Sequence, residues 1–342
     1  MKINILKAMS IIGAFVILSA SLEAKTTNWW SNGSDWNLAS NWTNGLPVNG
    51  DIVNVSSGGT GHRDPIMTSS SLYNANINLN VSLTIRGANL SSYAWDINLG
   101  YSGSLIIENG TTFNNDAGTI SSVYAYGRST KLTVREGACA IFKDIEFSDI
   151  SEIKIENAST LIIQDVFSLY TGLKSKTIIS GGSSILTAQS TSLNRTTNID
   201  GILTLDNGIF AAGKIGDTTQ SIINIAATAT LEFYLSTSST NKIINNYGSI
   251  DIADGATLSL DFDDVSSIVG GESFDIFDAT TITGTFTDIN LATLAAGLGW
   301  DLSQLYTNGI VSIAGSIIPE PSTYAIIFGT FALAFAIYRR RK

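Results

Sequence analysis

Leu105-Ile106-Ile107 runs into Asn109-Gly110, and 27 residues later Leu132-Thr133-Val134 runs into Glu136-Gly137. The unit returns as Ile153-Lys154-Ile155 before Asn157, Ile178-Ile179 before Gly181-Gly182, and Leu203-Thr204-Leu205 before Asn207-Gly208. It returns again as Ile223-Asn224-Ile225 and as Ile250-Asp251-Ile252 before Asp254-Gly255. The starts at 105, 132, 153, 178, 203, 223 and 250 are spaced 27, 21, 25, 25, 20 and 27 residues apart. Alternation with period two makes half-buried strands. A recurrence of this length corresponds to one coil of a stacked parallel β-solenoid, in which each coil buries its apolar face on its neighbours. Gly and Asn supply the positive-φ corners. The same Asn-Gly and Asp-Gly pairs also mark hairpins, so an antiparallel sandwich is the competing architecture. The step exceeds the 8–12 residues typical of sandwich strands and favours the solenoid. The expected fold is therefore all-β: an elongated right-handed parallel β-helix, occupying residues 56–280.

Composition agrees with many short strands joined by polar turns. Of the 342 residues, 44% are hydrophobic, only 14% are charged, and 31 are Gly. Between positions 25 and 318, 13 Lys and Arg face 27 Asp and Glu. An acidic body repels phosphate backbones, so nucleic acid is not an expected partner. The single cysteine, Cys139, has no intramolecular disulfide partner, and its place between Ala138 and Ala140 predicts a buried small hydrophobe. With His62 the only histidine, a zinc centre is not expected.

Both termini read as sorting signals. Lys2 and Lys7 precede an apolar run from Ile11 to Leu18 and then Ser19, Ala20, Ser21 and Ala24. This is the order of a secretory signal peptide, assigned to 1–24. The apolar run is too short to favour a membrane-spanning anchor. At the other end, Pro319-Glu320-Pro321-Ser322 precedes an apolar stretch from Tyr324 to Tyr338 and the basic cluster Arg339-Arg340-Arg341-Lys342. The stretch 324–338 predicts a transmembrane helix, and the basic cluster predicts a stop-transfer signal that stays cytoplasmic. Prolines keep the junction extended. An ordinary tail anchor is the alternative, although it has no need of a Pro-Glu-Pro segment.

This order resembles the PEP-CTERM sorting domain, covering 317–342. The resemblance implies processing by an exosortase-type protease, transient attachment to the inner membrane through the C-terminal helix, and delivery to the cell surface or extracellular matrix. The body carries two further resemblances. Trp29, Trp30, Trp36 and Trp42 lie in residues 25–55, a Trp-rich N-terminal cap that looks like the opening segment of surface proteins with autotransporter-associated β-strand repeats. Residues 281–316, with Gly284-Thr285-Phe286, Gly297-Leu298-Gly299-Trp300 and Val311-Ser312-Ile313, are similar to the closing β module of such proteins.

No motif in the body demands chemistry. Asp251, Asp254, Asp261, Asp263 and Asp264 could gather calcium, but no EF-hand or Gly-Gly-x-Gly-x-Asp repeat is present, so solvated acidic turns are expected. Asp144, Glu146, Asp149, Glu152 and Glu156 are the carboxylates available to a glycoside hydrolase. Glu152, Lys154 and Glu156 alternate as solvent-facing positions of one strand should. His62 and Asp64 accompany no activated nucleophile. The expected function is a structural or adhesive role in extracellular polymer or biofilm, without enzymatic activity, cofactor or metal. Extracellular polysaccharide is the expected partner, and a carbohydrate-binding or carbohydrate-degrading β-helix is the alternative.

Overall fold

The computed structural model describes residues 24–315 and Arg339, apart from 31–32, 57–62, 70–73, 88, 91–93, 101, 116–121, 126–128, 148–150, 170–175, 188–194, 200, 213–220 and 239. The signal peptide expected at 1–24 lies outside the described residues except for Ala24. So does the sorting tag expected at 317–342, except for an exposed Arg339. Among the described residues no helix is long and apolar enough to cross a membrane.

Among the described residues twenty-three strands join into one entirely parallel network. Their pairings resolve into three ladders, each adding one strand per coil. The first begins with Thr26–Asn28, Ile52–Val55, Asn74–Leu79 and Ala94–Leu99 and ends in the second half of Phe277–Thr283. The second runs from Ile66–Met67 and Ser82–Arg86 to Thr257–Phe262 and Asp288–Leu291. The third starts at Asn89–Leu90 and Thr112–Asn115. It continues through the first halves of Cys139–Phe147 and Thr160–Leu169.

Stacking in register builds the core from columns of inward-facing residues. In the second ladder Leu83, Leu105, Leu132, Ile153, Thr177, Leu203, Leu231 and Leu258 lie one above another. In the third, Leu90, Phe113, Ala140, Leu161, Ile185, Phe210, Ile243 and Phe277 do the same, all buried. Burying such a side chain contributes about 1.5–3 kcal/mol, so the column rather than any one coil holds the fold.

The second ladder sharpens the repeat seen in the sequence. From Leu105 to Leu258 the coils step by 27, 21, 24, 26, 28 and 27 residues. Ile178 is not the stacked position: Thr177 pairs with Ile153 and Leu203, and Ile178 points outward by alternation. Ile223 and Ile250 belong to the first ladder, where they pair with each other, not to the column of Leu105 and Leu132.

The corner between the second and third ladders is left-handed at Asn109-Gly110, Glu136-Gly137, Asn157-Ala158 and Gly181-Gly182. These corners also stack, because Gly110 N–H donates to Glu136 O, Gly137 N–H to Asn157 O and Ala158 N–H to Gly181 O, at 2.9, 3.0 and 2.9 Å. Turn chemistry legible in the sequence thus places the corners, and backbone bonding aligns them.

At the N-terminal end the edge strand is covered. Asn28 N–H donates to Thr43 Oγ1, Thr43 N–H donates to Asn28 O, and Asn44 Nδ2 donates to Thr26 O. Ile66 N–H donates to Ser34 O, and Trp36 N–H donates to Ile66 O. Satisfying an edge in this way removes a template for aggregation. Trp29, Trp36 and Trp42 are buried, with Trp42 edge-on to both others at ring distances of 5.0 and 4.6 Å. Trp30 is 60% exposed.

At the other end parallel pairing continues to Leu291. A three-stranded antiparallel sheet follows, in which Ile310–Gly315 pairs with Ser273–Asp275 and Leu298–Asp301. Phe262 stacks on Trp300 and meets Phe274 edge-on, joining this sheet to the column core.

Candidate functional surfaces

The outward positions of the first ladder carry a line of asparagines. Asn54 Nδ2 donates to Asn28 Oδ1 at 2.9 Å, Asn78 Nδ2 to Asn54 Oδ1 at 2.8 Å, and Asn98 Nδ2 to Asn78 Oδ1 at 3.2 Å. The same column resumes with Asn224 Nδ2 donating to Asn198 Oδ1, and with Thr283 donating to Asp251. Equal coil spacing makes an amide ladder possible, since each amide both donates and accepts.

The outward edge of the second ladder is charged. Arg86, Glu108 and Arg135 follow one another on successive coils. Glu108 is 1% exposed, and its oxygens accept from Arg86 Nε at 2.7 Å and Arg135 Nε at 2.8 Å. Burial opposes its ionisation, but hydrogen bonds and charge from Arg135 and Arg86 outweigh that and hold its carboxyl below the usual range. Farther along, Asp206, Tyr234 and Asp261 align in register without interleaved cations. Burial, then Asp206 and Asp261, push the neighbouring Asp263 carboxyl up, and burial with Glu232, Asp261, Asp206 and Asp263 pushes the Tyr234 phenol up.

A cleft of about 410 Å³ opens where the coils meet the antiparallel sheet. The turn Ser236, Thr237, Thr240 and Asn241 forms one wall, and Glu272, Ser273 and Asp275 the other. Leu235 and Phe274, both buried, contribute the apolar part. Asn241 Oδ1 accepts Gly208 N–H at 2.9 Å and its Nδ2 donates to Tyr234 O, which pins the turn to the coil beneath. Lys242 Nζ pairs with Asp275 and, at 3.6 Å, with Asp278. Glu272 accepts N–H from Val269 and Gly270 at 3.1 and 2.8 Å. Residues about 33 apart in the chain meet here, and no local motif announces them.

The residues singled out from sequence fall in several places. Pro319, Glu320, Pro321, Ser322, Arg340, Arg341 and Lys342 lie outside the described residues, as do His62 and Asp149. Asp144 and Glu146 occupy the first ladder and Glu152 and Glu156 border the second, so the two pairs lie on different ladders. Lys154 pairs with Glu156, and Lys131 with Glu152 at 3.4 Å. Three of the aspartates are engaged: Asp264 accepts Ser266 N–H, Asp251 takes the Thr283 hydroxyl, and Asp254 that of Thr287. Among the described residues no three His, Cys, Asp or Glu side chains converge as metal ligands. Cys139 is not buried as expected. Ala138 and Ala140 take the buried positions, leaving Cys139 half-buried, with burial pushing its thiol up.

Parallel strands stacked in three ladders make the described residues a mostly-β fold consistent with a β-solenoid. No family model matches the chain, and no curated protein or solved structure matches it either.

Proposed function

We propose that this is an exported protein of the cell surface or extracellular matrix, with a structural or adhesive role in extracellular polymer or biofilm rather than an enzymatic one. The observation that carries the reading is the parallel stacking of the coils, whose outward positions are spent on ladders such as Asn28, Asn54, Asn78 and Asn98. Such a surface is a repeating polar face on a stiff core. At about 4.8 Å per coil the ten strands of the second ladder span roughly 45 Å, which suits an elongated spacer or adhesive rod. A right-handed winding is the reading for the β-helix, since crossovers between parallel strands are right-handed in about 98% of cases.

In this reading residues 1–24 direct export and are removed. The helix 324–338 holds the chain in the inner membrane while Arg339–Lys342 stop translocation. An exosortase-type protease then cuts near Pro319–Ser322. Extracellular polysaccharide is the partner, and the acidic body makes nucleic acid an unsuitable one. The test is the C-terminal peptide of surface-exposed protein, read by mass spectrometry. Loss of Arg339–Lys342 is expected, and replacement of Pro319, Glu320 and Pro321 by Ala should leave uncut precursor in the inner membrane. Surface protein that keeps Arg339–Lys342 would overturn processing.

A further inference from the structure

We propose that the cleft between Ser236, Thr237, Thr240 and Asn241 on one side and the strand Ser273–Asp275 on the other is a saccharide-binding site for an uncharged or amino-bearing sugar residue, and not for a uronate. The proposal rests on the surface-protein reading for its biological source of glycan, and on the cleft for its chemistry.

The volume, about 410 Å³, lies at the small end of ligand clefts, roughly 300–1,000 Å³, and suits a short saccharide. The lining is unusual in its mixture. Ser236, Thr237, Thr240 and Ser273 bring hydroxyls, Glu272 and Asp275 bring carboxylates, and Leu235 with Phe274 supplies an apolar patch. Hydroxyls and carboxylates over a small apolar floor match a compact ligand with many O–H donors and one apolar ring face. The cation in the lining is already engaged, because Lys242 is paired with Asp275 and Asp278. Glu272, Asp275 and Asp278 therefore outnumber Lys242, and an anionic sugar meets net repulsion. The site is also pre-formed. Asn241 ties the turn to Gly208 and Tyr234, Glu272 is fixed by the Val269 and Gly270 amides, and Ser273 is bonded to Ser312 at 2.8 Å. Little ordering remains to oppose binding.

The experiment uses the purified full chain in detergent, titrated calorimetrically with neutral gluco-oligosaccharides, chitosan oligomers and oligogalacturonate. Thr237→Trp fills the cleft from an exposed turn position, and Ile222→Trp, exposed and outside the lining, is the control. Expected is binding of neutral or amino oligosaccharides at least tenfold tighter than oligogalacturonate. Thr237→Trp should lower it at least tenfold with an unchanged melting temperature, and Ile222→Trp should not. No binding of neutral or amino saccharides overturns the site, as does a preference for uronate or full affinity in Thr237→Trp. Protein found on the cell exterior that binds no saccharide overturns the cleft alone. Protein retained inside the cell that still binds through the cleft overturns the surface reading alone.

Discussion

The Glu108 carboxylate accepts the Arg135 Nε–H at 2.8 Å across 27 residues of chain, while its other oxygen accepts Arg86 Nε from the coil on the opposite side. One buried acid thus clamps three successive coils, and charge-assisted bonds of this kind are the stronger class. Glu108→Gln should destabilise by about 2 kcal/mol, because it leaves two guanidinium groups facing each other. The sign with pH follows from the lowered carboxyl. Its contribution is present above the ordinary Glu value and is lost as pH falls through the lowered one. The gap in melting temperature between wild type and Glu108→Gln should therefore be full at pH 7 and close in strong acid. A gap that is constant with pH would show that the charge is not what stabilises.

Asp263 has the opposite sign. Burial, then Asp206 and Asp261, raise its carboxyl, so its favourable contribution is complete below the unfolded value and is lost as pH rises through the folded one. Asp263→Asn should raise the melting temperature at pH 7, and the gain should vanish near pH 4. A loss of stability at pH 7 would mean that the carboxylate has a favourable partner.

Trp42 holds the N-terminal edge together. Its ring meets Trp29 and Trp36, and its Nε1 donates to Trp36 O at 2.9 Å. Trp42→Ala should cost about 3 kcal/mol and, by loosening the segment that covers Thr26–Asn28, promote association. Light scattering during thermal unfolding reads both effects.

Gly309 ends the short helix Leu305–Asn308 with φ +70°, and a Cβ there would lie 1.9 Å from Phe277 O. Its carbonyl also accepts the N–H groups of Ile276 and Phe277. Gly309→Ala should destabilise by at least about 2 kcal/mol, seen first as lost amide protection over residues 273–277 and 310–315. Uniform loss throughout the coils would instead indicate a single cooperative unit.

Calcium should matter little, because Asp251, Asp254 and Asp264 are occupied by hydroxyl and amide donors. Chelation should shift the melting temperature by less than about 5 °C; a larger shift implies roughly a kcal/mol or more of linked binding.

Much of this architecture was legible in residue order. The runs at Leu105, Leu132, Ile153 and Leu203 lie in one column, and Asn109-Gly110 and Gly181-Gly182 are left-handed corners. The slip at Ile178 has a local cause. Between Ser180 and Ser183 the chain bulges as it turns the corner, so two apolar positions, 178 and 179, look equally suitable although only Ile179 points inward. The half-burial of Cys139 is hidden in the sequence for a related reason, since its alanine neighbours conceal the alternation.

The third ladder was not legible at all. Phe113, Ala140, Leu161, Ile185, Phe210, Ile243 and Phe277 share a column without sharing a residue type, and several belong to strands that continue around a corner from another ladder. The sequence by itself determined that the chain is β-rich, which residues alternate inward, and where it turns, because period and positive-φ preference are local properties. Only the tertiary structure decided which run lies on which, that Glu108 meets Arg86 and Arg135, and that Thr237 faces Asp275 across a cleft. Those relations depend on coil length and register, and a period of two states which face a residue takes but never which coil it meets.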